Sequence, residues 1–191
     1  MTTPLSPVEL YHLACRSAER GRVARDPVVM LAAAKIAGQL GEVNLRASAV
    51  REDIAGPTAG PAGALGDARP VVAALRSEAR FHAAGTPDEA LVADVDAMLN
   101  DLAAVPGQLD GMRLVVRAGR AVELAVPHGR SVVIAGDGRS PLLCNRNAMA
   151  DATASPNLAL LVAAAQPGTA DRVRIDNVGR FSADLLCVWA R

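Results

Sequence analysis

Apolar and polar positions repeat with two different periods along the chain, and the change falls near residue 106. Residues 1–106 carry helical signals. Ser6-Pro7-Val8-Glu9 places a hydroxyl N-cap before a proline, with a glutamate three residues after the cap. In such a capping box the hydroxyl accepts one orphan N–H, and the glutamate reaches back to the N–H of the cap. The pattern predicts a helix to about Arg20, with Gly21 free to adopt a left-handed cap. Asp26-Pro27 predicts a second helix, ended by Gly41, with Val29, Ala33, Ile36 and Leu40 on one face. A third is predicted from Asp67 to just before Gly85. Thr86-Pro87-Asp88-Glu89 repeats the capping box and opens a fourth, with Leu91, Val95, Met98 and Leu102 along its apolar face. The Gly/Pro-rich stretch at residues 56–67 reads as a flexible link. Residues 42–54 fit either a short helix or a strand-like arm.

From residue 111 the period shortens to two. Residues 113–117, 122–126 and 172–176 alternate, with Val173 and Ile175 on one face of the last. Ala118-Gly119, His128-Gly129, Gly136-Asp137-Gly138 and Val178-Gly179 punctuate the runs. About seven short strands at this spacing predict an antiparallel sandwich. The expected fold class is therefore α+β. A helical subdomain of about four helices over residues 1–106 precedes a small antiparallel β-sandwich over residues 107–191.

Composition narrows the choice of function. The chain has 191 residues, 51% apolar and 21% charged, which is too apolar for a disordered chain. Twenty basic groups balance twenty acidic ones, so a general nucleic-acid or acidic-membrane binder is not expected. The helical part carries 10 basic and 13 acidic groups and the remainder 10 and 7, a mild opposition of charge. The aromatics are Tyr11, Phe81, Phe181 and Trp189, so the core must be built from small aliphatic side chains. No leader pattern or membrane-length apolar run is visible. The expectation is a cytoplasmic protein with Cys15, Cys144 and Cys187 reduced.

The order of elements resembles a group of small bacterial proteins with a helical N-terminal part and a pre-peptidase C-terminal-like β-sandwich. The residues carrying the resemblance are Asp26-Pro27 with Leu31-Ala32-Ala33-Ala34, Glu78-Ala79-Arg80, Gly85-Thr86-Pro87, Gly136-Asp137-Gly138 and Asn177-Val178-Gly179. The resemblance implies an accessory or interaction module rather than an enzyme. It does not extend to a calcium site. After Gly138 the chain reads Arg139-Ser140-Pro141-Leu142, and calcium wants six to eight oxygens, several of them from carboxylates.

Candidate chemistry is sparse. Asp137 and Arg139 sit in a glycine-rich loop that could face a ligand, although Asp-Gly is foremost a turn signal. Cys144 or Cys187 with His128 could supply a thiol and base, but no family signature surrounds either cysteine. His12, His82 and His128 lack ligand spacing, and no metal or cofactor is expected. Ser131 and Ser140 lack a nucleophile-elbow setting. Arg113, Arg117, Arg172 and Arg174 all fall on polar sides of strands. On a single sheet they would form a guanidinium patch able to hold carboxylates of a partner. The expected function is a non-enzymatic accessory protein that binds a protein partner, or a second copy of itself, through the sandwich or the helical face. The alternative is a small-molecule or glycan-binding module using the end loops of the sandwich.

Overall fold

A computed structural model describes residues 4–46, 51–55, 67–100, 107–125, 130–146, 153–155, 159–162 and 172–191. Among them are four helices: α1 (Pro7–Ala24), α2 (Pro27–Leu40), α3 (Val72–Ala83) and α4 (Glu89–Asn100). The strands are β1 (Asn44–Leu45), β2 (Arg51–Ala55), β3 (Leu109–Val116), β4 (Arg120–Ala125), β5 (Val132–Gly136), β6 (Leu142–Arg146), β7 (Thr153–Ser155), β8 (Ala159–Val162), β9 (Arg172–Asn177) and β10 (Ala183–Ala190). They form two five-stranded sheets, ordered β1-β3-β10-β5-β8 and β2-β4-β9-β6-β7. Every pairing is antiparallel except β1 with β3. The fold is thus α+β, with an N-terminal helical part and two packed sheets.

Of residues 42–54, the described ones, 42–46 and 51–54, include two strand segments. These strands edge the two sheets, β1 beside β3 and β2 beside β4. The strand-bearing part of the molecule therefore starts before residue 107. The β3–β4 and β5–β6 connections each cross from one sheet to the other. The turn at Gly136-Asp137-Gly138 is consequently a link between sheets and not a hairpin between paired strands.

Two of the three cap signals hold locally; at the third, Thr86 Oγ1 accepts from the Asp88 N–H and the Glu89 carboxylate from the Gly85 N–H, so the predicted box at Thr86 does not form and α4 starts at Glu89. The Ser6 hydroxyl accepts from the Glu9 N–H at 3.3 Å, while the Glu9 carboxylate accepts from the Ser6 N–H at 2.8 Å. Asp26 accepts from the N–H groups of Val28 and Val29. Gly21 departs from expectation. It lies inside α1, and the left-handed cap falls on Arg25 instead. A Cβ on Gly21 would meet Met30 Cγ at 2.9 Å and Met30 N at 3.0 Å, so this glycine lets α2 approach closely. The third helix starts at Val72 and not at Asp67, because residues 67–71 form an extended strap. The predicted face of α4 is also corrected. Val92, Asp96 and Leu99 turn inward, whereas Leu91 and Met98 are exposed. Leu102 and the link at residues 56–66 lie outside the described residues.

Two cores result. One fills the helical bundle with Ala18, Met30, Leu31, Ala33, Ala34, Leu75, Ala79, Val92 and Leu99. Alanine dominates it, as the lack of aromatics requires. The other joins both sheets to α1 through Val8, Tyr11 and Cys15, which share one helical face. Every residue of β5 is buried, because the opposing sheet covers one face and α1 the other. The layers are helices, first sheet, second sheet.

Candidate functional site

The strap at residues 67–71 crosses from the sandwich to α3 and is fixed from several sides. The Ala68 N–H donates to the Gly136 carbonyl of β5 at 3.0 Å. Arg22 of α1 donates to the carbonyls of Asp67 and Arg69 at 2.7 and 2.9 Å and grips Glu78 of α3 through two further nitrogens. One guanidinium thus ties α1, the strap and α3 together. Between the strap, α2, β1 and β10 lies a groove of about 1140 Å³. Ala34, Ala37 and Gly38 of α2 form one wall, Leu45 and Leu186 belong to the strands, and Val71 to Ala73 form the opposite rim. The small side chains of α2 leave this space open.

One polar cluster borders it. Asp184 of β10 accepts from Arg113 Nε at 2.9 Å and from Arg69 Nη1 at 3.2 Å. Asp67 accepts from Arg69 Nε and Nη2 at 3.0 and 2.9 Å. The hydrogen bonds from Arg113, with help from Arg69, hold the Asp184 carboxyl below the usual carboxylate range despite desolvation. The cluster pairs two cations with two carboxylates, so it offers oriented donors rather than a net field.

The four arginines expected as a patch do not come together. Arg113 lies on β3 in the first sheet, and Arg172 and Arg174 lie on β9 in the second. Arg172 approaches Glu123 at 3.4 Å, and Arg174 clasps Asp176 at 2.8 Å. Arg117 is exposed just after β3. Only Arg113 reaches the groove. Asp137 and Arg139 form a local turn, in which Asp137 Oδ1 accepts from the Arg139 N–H at 3.1 Å. This is the turn reading of Asp-Gly, with both side chains engaged with each other. Arg22, Arg69 and Asp184 escaped the sequence. Their spacing along the chain carries no local signal, although Arg113 and Asp184 become diagonal neighbours once β3 and β10 are in register.

The thiols are held away from chemistry. Cys15 and Cys187 are fully buried, and burial pushes both thiols up. Cys144 is pushed up to about 12, first by burial and then by the Asp176 carboxylate. A nucleophilic cysteine needs the opposite environment. His128 lies outside the described residues. Tyr11 and Trp189 are buried, so neither can serve as a stacking platform for a sugar. Among the described residues no three His, Cys, Asp or Glu side chains gather as metal ligands, and no helix is long and apolar enough to cross a membrane.

The molecule is, by class, a helical bundle stacked on a two-sheet sandwich with an apolar groove along their seam. No protein family, curated protein or solved structure matches the chain. The likeness to pre-peptidase C-terminal-like proteins therefore rests on its short motifs alone.

Proposed function

We propose that the protein is a non-enzymatic interaction protein, working in the cytoplasm, that seats a segment of a protein partner in the groove between its helices and its sandwich. The groove is the observation that carries this reading. Its volume of about 1140 Å³ exceeds the roughly 300–1,000 Å³ of most small-ligand clefts. Apolar walls with a few fixed donors suit a partner segment bearing apolar side chains and an exposed carbonyl or carboxylate. The raised thiols weigh against covalent catalysis. The oriented Arg113–Asp184–Arg69 cluster favours one second reading, a small molecule held in the same groove.

Affinity capture from the native host tests the proposal, with wild type and Ala73→Trp compared at low and high salt. Ala73 lies exposed on the groove rim, so tryptophan there fills the space without entering a core. The expected result is one stoichiometric partner that wild type retains and the folded variant loses. A partner held equally by both proteins contradicts the groove as its seat. If no protein is captured but a small compound raises the melting temperature of wild type and not of the variant, the second reading replaces the first.

A further inference from the structure

Two helices keep apolar solvent faces after the fold is complete, and their charges are opposite. On α4 the exposed positions include Ala90, Leu91, Ala93, Ala97 and Met98, with Leu91 at 52% and Met98 at 68% exposure. The charge on this face is Asp94, and α4 holds no basic residue; Glu89 lies on the other side of the helix, where it accepts from the Gly85 N–H at 2.8 Å. A surface helix ordinarily turns its polar side to water. Here the inward positions include the carboxylate Asp96, and the outward ones include leucine and methionine. On α1 the exposed stripe is Leu13, Arg16, Arg20 and Val23, with Val23 at 70% exposure. These residues follow i, i+3, i+7, i+10 spacing, and Leu91, Asp94 and Met98 repeat its first three positions. Glu9, at the start of the α1 stripe, is occupied by its own capping box. Arg16 leans on Glu19 at 3.9 Å, and Arg20 makes no ion pair among the described residues.

We propose that the α1 face of one copy docks on the α4 face of a second copy. The apolar positions of each stripe cover those of the other, and Arg16 and Arg20 flank Asp94. Charge decides the pairing. Two α4 faces together would oppose carboxylates to carboxylates, and two α1 faces would oppose guanidinium groups. A contact between unlike faces closes into a dimer if it is reciprocal and grows head to tail if it is not. A contact of one helix with one helix is small beside the roughly 800 Å² per partner of a standard interface and belongs with weak, transient association, for which the test range is set around micromolar. This surface is separate from the groove, and the inference stands without the functional reading above.

Sedimentation velocity from about 1 to 200 μM, a range bracketing micromolar affinity, tests it on wild type, Arg20→Glu and Asp94→Arg. Wild type is expected to associate with rising concentration, and less at high salt because screening weakens the charged contacts. Each single variant is expected to associate about tenfold more weakly, since attraction becomes repulsion at an exposed site. Mixing the two variants restores association, because Arg20 of one then faces Asp94 of the other. The chain carrying both changes likewise associates again. Both substitutions fall on exposed positions, and circular dichroism checks that the helices persist. Wild type that stays monomeric throughout, association indifferent to both changes, or a mixture no better than its components would each overturn the proposal.

Discussion

Replacing Asp96 by alanine perturbs the contact that turns α4. Its side chain is only 8% exposed, and it accepts from Arg76 Nε on α3, with Arg80 Nη1 at 3.4 Å. Arg76 also donates to the Asp96 carbonyl at 3.1 Å and to Asn100 at 2.6 Å. Losing a buried ion-pair partner outright costs about 3–5 kcal/mol. Two features of the site reduce that figure. Arg76 keeps its two other acceptors and reaches solvent at its outer edge, so it is not stranded. Arg80 is 59% exposed, and such a contact contributes little. What remains is one charge-assisted hydrogen bond and a small void, about 2 kcal/mol. Asp96→Asn keeps the shape and one acceptor and should cost about half as much. Urea unfolding followed at 222 nm measures both, with the slope checked for two-state behaviour. Hydrogen exchange should show faster opening of α4 than of α1 or α2 in the alanine variant. A loss below about 0.5 kcal/mol, the scatter of neutral surface changes, would refute the claim that this pair sets the rotation of α4.

Three further predictions follow from single contacts. Gly21→Ala should destabilise by about 1 kcal/mol, because crowding against the fully buried Met30 outweighs the helix propensity gained. A double-mutant cycle in urea with Met30→Ala should show coupling between the two sites, and a stabilising Gly21→Ala would contradict the close approach. Asp184 has a lowered folded-state pKa, so its contribution is present above about pH 4 and is lost as pH falls through the folded value. Asp184→Asn should therefore flatten part of the acid limb of stability against pH, and an unchanged limb would count against the Arg113–Asp184–Arg69 cluster. With Cys15 and Cys187 fully buried and their thiols raised, a thiol-reactive reagent at pH 7.5 should label these two only as fast as the native protein unfolds, and prompt labelling of either would contradict the packing.

The parts legible in the sequence were those decided locally. Ser6 with Glu9, Asp26 before Pro27 and the alternation at residues 172–176 each fix structure within a few residues. Val173 and Ile175 are buried as their alternation implies. The misreadings share a different cause. Gly21 looks like a helix stop until Met30 of the next helix is placed against it. Leu91 and Met98 look like core until Arg76 and Arg80 draw Asp96 inward. The arginines looked like one patch because polar alternation assigns a face but not a sheet, and β3 and β9 belong to different sheets. The groove was invisible for the same reason. Its walls come from α2, the strap and β10, and it exists because Arg22 anchors the strap from a distant part of the chain.

Photo-cross-linking from the groove rim tests the account's central claim most directly. A photoreactive amino acid at Val71, which is exposed and lines the groove, would be activated in native host extract, with the same group at Phe181, exposed and outside the groove lining, as reference. The account predicts one discrete protein adduct from position 71, absent from position 181 and abolished by Ala73→Trp. Adducts identical at both positions, or none at position 71, would contradict it.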